Sequence, residues 1–143
     1  MKEYYTATVK FGAIDETSGK EVVISEQYLL DAINFADAET RIYEEMIPLI
    51  NGDFDVSGIS RLKLAEIITG KGETWYKAKV EFIDIDEKTG KQKKLKNIIL
   101  VNAEDAESAI KNITEKMTGV LFPWSIFSIT ETKIKDIFIT DEK

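Results

Sequence analysis

Two stretches of the chain alternate apolar and polar residues, and this period of two predicts a half-buried strand in each. The apolar side of the first stretch consists of Tyr5, Ala7, Val9 and Phe11. The apolar side of the second stretch consists of Tyr76, Ala78, Val80 and Phe82. Successive side chains of a strand point to opposite faces, so each strand is expected to bury one face against a core.

A turn and a second strand follow each of these strands. Gly19 and Gly90 lie in the turns, where glycine takes positive φ values without steric cost. The second strands are predicted near residues 22–30 and 95–101, which makes each pair an antiparallel hairpin. Third strands are predicted further along the chain, near residues 54–62 and 126–133.

A helix is predicted between the second and third strand of each stretch. Asn34 and Asp105 stand at the expected starts, where a short polar side chain accepts a hydrogen bond from a first-turn amide. Apolar residues recur behind them at every fourth position, at Ala38, Ile42 and Met46 and again at Ala109, Ile113 and Met117. This spacing gives each helix an apolar stripe that packs on a sheet.

The two stretches match at a constant offset of 71 residues, which predicts a tandem duplication. The fold is therefore predicted to be α+β, with two copies of a β-β-α-β unit in residues 1–71 and 72–143. Neither copy has enough apolar residues to form a stable hydrophobic core of its own. We expect the copies to form one compact domain in a pseudo-twofold arrangement, with the helices on one face of the sheet or sheets.

The residue types present exclude several classes of enzyme. The 143 residues include neither Cys nor His. Thiol nucleophiles, Ser-His-Asp triads, structural zinc and imidazole acid–base catalysis are thereby excluded. The acidic turn of Asp84, Asp86 and Glu87 lacks the spacing of a calcium loop. We predict a non-catalytic protein with no cofactor and no metal site.

Charge is shared unevenly along the chain, whose net charge is −7. Residues 1–71 carry 7 Lys+Arg against 13 Asp+Glu, and residues 72–143 carry 12 against 13. A net negative charge argues against a protein that coats duplex DNA. The second hairpin nevertheless concentrates five lysines where the first has only Lys20: Lys88, Lys91, Lys93, Lys94 and Lys96.

These lysines have two interpretations. With Lys77 and Lys79 on the outward side of the adjoining strand, they form a basic stripe that tracks a phosphate backbone. Alternatively, they solvate a hairpin and discourage edge-to-edge strand pairing. Base stacking needs exposed aromatic rings, which are expected only at Tyr4, Trp75 and Trp124. Because Trp124 corresponds to Asp53 and the first hairpin has one lysine against five, function is predicted to lie in the second copy.

Four segments of the chain are similar to one protein family. They lie between Glu26 and Met46, in Trp75-Tyr76-Lys77, in residues 86–91 and in residues 131–138. They resemble an uncharacterised domain-of-unknown-function family of short proteins from gut anaerobes, their mobile elements and their phages. The family has no established catalytic residues, so the resemblance implies no site. Its genomic setting implies a role in phage or mobile-element biology.

These features together predict a small binding protein. The leading hypothesis is that it binds single-stranded nucleic acid, or acts in a replication or recombination assembly, through the lysine hairpin and the exposed rings. The alternative is a protein-interaction or host-modulating factor that uses its acidic surface, a sheet edge or a small-ligand pocket. Oligomeric state stays open, with a homodimer among the alternatives.

The cellular location of the protein is predicted from the length and position of its apolar segments. No apolar run approaches the roughly 18 residues that cross a bilayer, and the first residues have no signal-peptide core. A cytoplasmic location without a membrane partner is therefore expected.

Overall fold

The structure of the chain is a computed structural model, which describes residues 2–140. Over these residues the chain forms eight strands and two helices. In chain order they are β1 (Glu3–Ile14), β2 (Glu21–Ala32), α1 (Phe35–Met46), β3 (Phe54–Leu62), β4 (Glu66–Ile68), β5 (Thr74–Ile85), β6 (Gln92–Ala103), α2 (Ala106–Lys116), β7 (Trp124–Glu131) and β8 (Ile134–Phe138). The predicted α+β class is confirmed.

The chain divides into two compact units, whose bounds differ from those of the predicted copies. Unit 1 contains Met1–Lys63 and Ile134–Lys143, and unit 2 contains Leu64–Lys133. Unit 2 thus begins with the strand that follows β3, and unit 1 receives the last strand of the chain. The segments 1–71 and 72–143 describe a repeat in the sequence, and they stay a prediction, as does their pseudo-twofold packing as one domain.

Each unit has one four-stranded sheet, and corresponding strands follow in the same order across the two sheets. The strand order is β3-β1-β2-β8 in unit 1 and β7-β5-β6-β4 in unit 2. The hairpins β1/β2 and β5/β6 occupy the centres of the sheets, where they pair antiparallel. The outer strands β8 and β4 lie parallel to β2 and β6, so both sheets are mixed.

Strands β4 and β8 are absent from the predicted three-stranded unit. They have only three and five residues, which is too short to show a clear alternation of apolar and polar positions. Their partner strands are distant in the sequence, so no turn residues between the two strands indicate that they pair. The sequence therefore predicted the central hairpins and the third strands, and missed the parallel edge of each sheet.

The helix of each unit covers one face of the sheet of that unit. In unit 1 the buried cluster joins the α1 stripe to the predicted inward face of β1, through Ala38, Ile42, Met46, Tyr5, Ala7 and Val9. In unit 2 it joins α2 to β5 through Ala109, Ile113, Tyr76, Ala78 and Val80. Burial of each large apolar side chain contributes roughly 1.5–3 kcal/mol. The predicted inward faces and helix stripes are confirmed.

Both helices begin at the predicted caps. The side chain of Asn34 accepts a hydrogen bond from the Asp37 amide at 2.8 Å, and that of Asp105 accepts one from the Ser108 amide at 2.7 Å. These bonds satisfy first-turn amides that have no partner within a helix. Hydrogen bonds from Ser108 also hold the pKa of the Asp105 carboxyl below its usual value.

A buried carboxylate holds the last described residues of unit 1. Asp31 of β2 accepts hydrogen bonds from the Arg41 guanidinium at 2.6 Å and from the Thr140 hydroxyl at 2.7 Å. It also accepts the Thr140 amide at 3.1 Å. A buried charge is costly unless such donors surround it. Asp31 therefore ties α1 and the segment behind β8 to one strand.

Replacing Asp31 with Asn is expected to loosen this end of unit 1. The amide carries no charge to pair with Arg41, so the free energy of unfolding should fall by roughly 1–3 kcal/mol. Urea unfolding measures the change, and amide hydrogen exchange of Ile137 and Phe138 should become faster. The control is Asp136→Asn, which removes the same charge from an exposed side chain. Equal stability of both variants would contradict this role.

The cap at Asp105 is expected to make the start of α2 sensitive to acid. Because the pKa of Asp105 is lowered in the folded state, its carboxylate makes its full contribution to stability at pH values above the usual aspartate pKa. This contribution is lost as pH falls through the lowered folded value. In the Asp105→Asn variant the cap still accepts a hydrogen bond but no longer titrates. The difference in melting temperature between wild type and variant should shrink with acidification; a constant difference would refute the assignment.

Candidate functional site

The seven lysines of the predicted basic stripe do not share one surface. Paired residues of β5 and β6 lie on the same face, and Tyr76, Ala78 and Val80 mark the face that packs on α2. Lys93 pairs with Asp84 and lies on that helix side. Lys88 and Lys91 belong to the turn between the strands. The remaining four lie on the opposite side of the sheet: Lys77, Lys79, Lys94 and Lys96.

An exposed aromatic ring lies among the lysines on that opposite side. We define the sheet patch as Lys79, Lys94, Lys96 and Phe127. The Lys96 ammonium is 3.9 Å from the centroid of the Phe127 ring, which is a cation–π distance. The Phe127 side chain is 57% exposed. The patch therefore offers an accessible planar ring bordered by positive charge.

Strand alternation places Phe127 on this side of the sheet, beside a β-bulge. The register between β5 and β7 shifts at Lys79 and Val80, whose partners are Ser128 and Ile126. Phe127 is the extra residue of the bulge. It follows Ser125, the partner of Glu81, by two positions, so strand alternation places it on the same side as Glu81. The sequence prediction expected exposed rings elsewhere and missed Phe127. The alternation of inward Trp124 and Ile126 with Ser125 was the signal that could have placed Phe127 outward.

A carboxylate lies within the sheet patch and offsets part of its charge. Glu81 is nearly buried, pairs with Lys96 across the strands, and places its Oε1 3.6 Å from the Nζ of Lys94. The Lys94 side chain is mostly exposed, so this ion pair contributes little to stability. An anionic ligand would compete with Glu81 for Lys94.

Neither predicted tryptophan joins the patch. Trp75 is only 5% exposed, so the prediction of an exposed ring at this position is wrong. Its neighbour Tyr76 on the other face is buried too, which shows that β5 is covered on both faces at its start. Trp124 pairs with Phe82 and packs on the core beside α2. It is partly buried on the helix side, away from Lys94 and Lys96.

Acidic residues accompany the lysines at the hairpin tip. The Asp86 side chain accepts the Lys88 amide at 2.9 Å, and Gly90 has the positive φ of 71° that the turn was predicted to need. Lys88 and Lys91 share the tip with Asp84, Asp86 and Glu87. The charges of the tip largely cancel, so the tip adds no net positive charge to the sheet patch.

Unit 1 has a groove that the sequence prediction did not anticipate. Its volume is about 440 Å³, and it is lined by β1, β2, the segment behind α1 and β8. Within it, Glu26 accepts a hydrogen bond from the Tyr28 hydroxyl and lies 2.9 Å from the Nζ of Lys135. Tyr28 stacks on Phe138 at 5.4 Å between centroids. Lys135 and Asp136 follow the other groove residues by a long interval of chain, so no local motif marks the groove.

The sequence profile of a domain of unknown function, DUF4494, matches residues 3–140. The chain belongs to the DUF4494 family. A comparison with curated proteins finds no match. The predicted resemblance to an uncharacterised family is thereby confirmed, and the DUF4494 match covers every strand and helix from β1 to β8.

Two further properties of the described DUF4494 residues bear on chemistry and location. Over residues 2–140 no group of three or more acidic side chains could hold a metal ion. In the same range, neither helix is long and apolar enough to cross a membrane.

The groove predicts an unusual tyrosine titration in this DUF4494 chain. Burial raises the pKa of Tyr28, and the nearby carboxylates of Glu26 and Asp136 raise it further because they disfavour tyrosinate. Burial raises the pKa of Tyr76 as well, so an alkaline absorbance titration should show late-ionising tyrosines, one of which is absent in Tyr28→Phe. Glu26→Gln should lower this late midpoint. An unchanged late midpoint in Glu26→Gln would show that the carboxylate does not act on the hydroxyl.

Proposed function

We propose that this protein is a non-catalytic binder of single-stranded nucleic acid and that the sheet patch of unit 2 is its binding surface. The carrying observation is the exposed Phe127 ring with the Lys96 ammonium 3.9 Å from its centroid. An unpaired base offers a flat face and an adjoining phosphate. The ring would stack on the base while Lys79, Lys94 and Lys96 contact the backbone.

The charge distribution supports single strands over duplexes as the ligand. The whole chain has a net charge of −7, which opposes extended contact with a polyanion. Few lysines lie on the patch, and Glu81 lies among them. Such a site suits a short run of nucleotides in which stacking contributes a large share of the affinity. Phe127 supplies that share.

We propose a setting and an origin that are consistent with this role. A function within a replication or recombination assembly of a phage or mobile element, in the cytoplasm of a gut anaerobe, fits a small binder without catalytic groups. The constant offset of 71 residues and the equal strand orders of the two sheets support a duplicated β-β-α-β unit. In this account the second copy acquired the lysines and Phe127 after duplication.

Fluorescence anisotropy with labelled oligothymidine tests the proposed surface. Phe127→Ala should weaken binding by roughly 1–3 kcal/mol, because it removes the stacking ring. Lys96→Glu should weaken binding and reduce the dependence of log affinity on log salt, by ~0.7 for each phosphate that the variant no longer neutralises. The matched control is Lys93→Glu, which makes the same charge change on the helix side of the same strand. It should have a much smaller effect.

The carboxylate within the patch gives an independent test. Glu81→Gln removes the competitor for Lys94, so affinity for oligothymidine is expected to rise.

Equal losses for Lys96→Glu and Lys93→Glu would refute the patch as the binding surface. Absence of micromolar binding at low salt would refute the function itself.

A further inference from the structure

The second strand of unit 1 has an edge without a partner strand. β2 contains twelve residues, Glu21–Ala32, but its outer neighbour β8 pairs only with residues 27–30. No strand among residues 2–140 pairs with the outer side of residues 21–26, which we call the free edge. Backbone groups on such an edge form a template for an added strand.

The middle of the free edge carries no charged side chain that would protect it. Val22, Val23 and Ile24 stand in its middle, and Val23 is 74% exposed. β-branched residues favour extended pairing, and the segment contains no lysine or proline. Protected edges ordinarily carry one of these residues or a bulge.

The equivalent edge of unit 2 is protected by charge. β4 pairs only with residues 99–101 of β6, so residues 92–97 of β6 likewise extend beyond their outer neighbour. At the offset of 71 residues, Val22 and Val23 correspond to Lys93 and Lys94, and Ser25 corresponds to Lys96. The two hairpins therefore differ in whether their outer edge can accept a strand.

The groove of unit 1 adjoins the free edge. Glu26, the last residue of the edge, lines the groove together with Phe11 of β1 and Lys135 at the start of β8. Leu49 forms part of its other wall and is largely exposed. A strand added in line with β8 would place alternate side chains over this groove. The edge would supply main-chain hydrogen bonds, and the groove would select side chains.

The charge of unit 1 indicates the chemistry of the incoming strand. Unit 1 carries 8 Lys+Arg against 15 Asp+Glu, whereas unit 2 carries 11 of each. Glu21 and Glu26 stand at the two ends of the free edge, and Asp136 lines the groove. Lys135 is the basic residue of the lining, and it is paired with Glu26. A basic strand would be attracted, and an acidic one repelled.

We infer that the free edge of β2 and its groove bind an extended segment of a partner protein in which lysine or arginine alternates with β-branched residues. The segment adds a strand to the sheet of unit 1. Its long basic side chains lie along the groove, with their stems against Leu49 and Phe11 and their charges near Glu26 and Asp136. This surface belongs to unit 1 and does not depend on the nucleic-acid patch of unit 2.

The test uses the full chain and a labelled Lys-Val-Lys-Val-Lys-Val peptide as the probe. Fluorescence polarisation is expected to show saturable binding, and amide hydrogen exchange of residues 21–26 is expected to slow when the peptide is added. A Glu-Val-Glu-Val-Glu-Val peptide and a Lys-Val-Lys-Pro-Lys-Val peptide should bind at least about tenfold more weakly, since one has the wrong charge and the other lacks a backbone donor.

Variants of one exposed position separate edge pairing from general charge effects. Val23→Lys should weaken binding of the Lys-Val peptide at least about tenfold, whereas Val23→Thr, which stays β-branched and neutral, should bind like wild type. The matched control for added charge is Thr40→Lys, on the exposed side of α1. Circular dichroism spectra and melting curves confirm that each variant is folded.

Several results would overturn the inference. These are no saturable binding of the Lys-Val peptide, equal binding of the Glu-Val peptide, or unchanged exchange of residues 21–26 in the complex. Equal losses for Val23→Lys and Thr40→Lys would also overturn it. Protection of residues 21–26 without peptide, in a chain that sediments as a dimer, would assign the edge to a second copy instead. Lys96→Glu should leave peptide binding unchanged, so failure of the nucleic-acid proposal is separately visible.

Discussion

The strands of the central hairpin in each sheet are longer than the parallel strand that pairs with the outer side of the hairpin. This difference in length leaves part of β2 and of β6 without an outer partner. β2 and β6 have twelve residues each, whereas β8 and β4 have five and three. The short strands pair near the end of the hairpin that leads into the helix. The turn end of each hairpin consequently extends beyond the outer strand. Both proposed binding surfaces lie on these extensions.

The short outer strands also join distant parts of the chain. The chain leaves unit 1 at Lys63, builds all of unit 2, and returns to unit 1 at Ile134. Pairing of β8 with β2 therefore closes a loop that contains the whole of unit 2, at an entropic cost that grows slowly with loop length. The buried contacts of Asp31 with Arg41 and Thr140 help to offset this cost at the end of β8.

Sequence reasoning succeeded where the signal is local and repeated. Hairpins, helix caps and inward faces follow from periods of two and about four residues and from Asn34 and Asp105 at the helix starts. It failed where one residue or a distant partner decides the structure. Phe127 lies beside a one-residue bulge that the sequence did not predict, Trp75 is buried because its strand is covered on both faces, and Glu26 meets Lys135 only through the pairing of β8.

The two hairpins differ in chemistry on a common strand order, and this difference is the basis for assigning different ligands to them. Nucleic acid is expected to bind the turn end of the β5/β6 hairpin, on the face of the sheet opposite α2. An amide chemical-shift titration of the full chain with oligothymidine maps the contact. Shifts are expected only in the neighbourhood of Lys79, Lys94, Lys96 and the Phe127 bulge. Shifts centred on the helix side near Lys93 and Trp124, or on unit 1, would contradict this expectation.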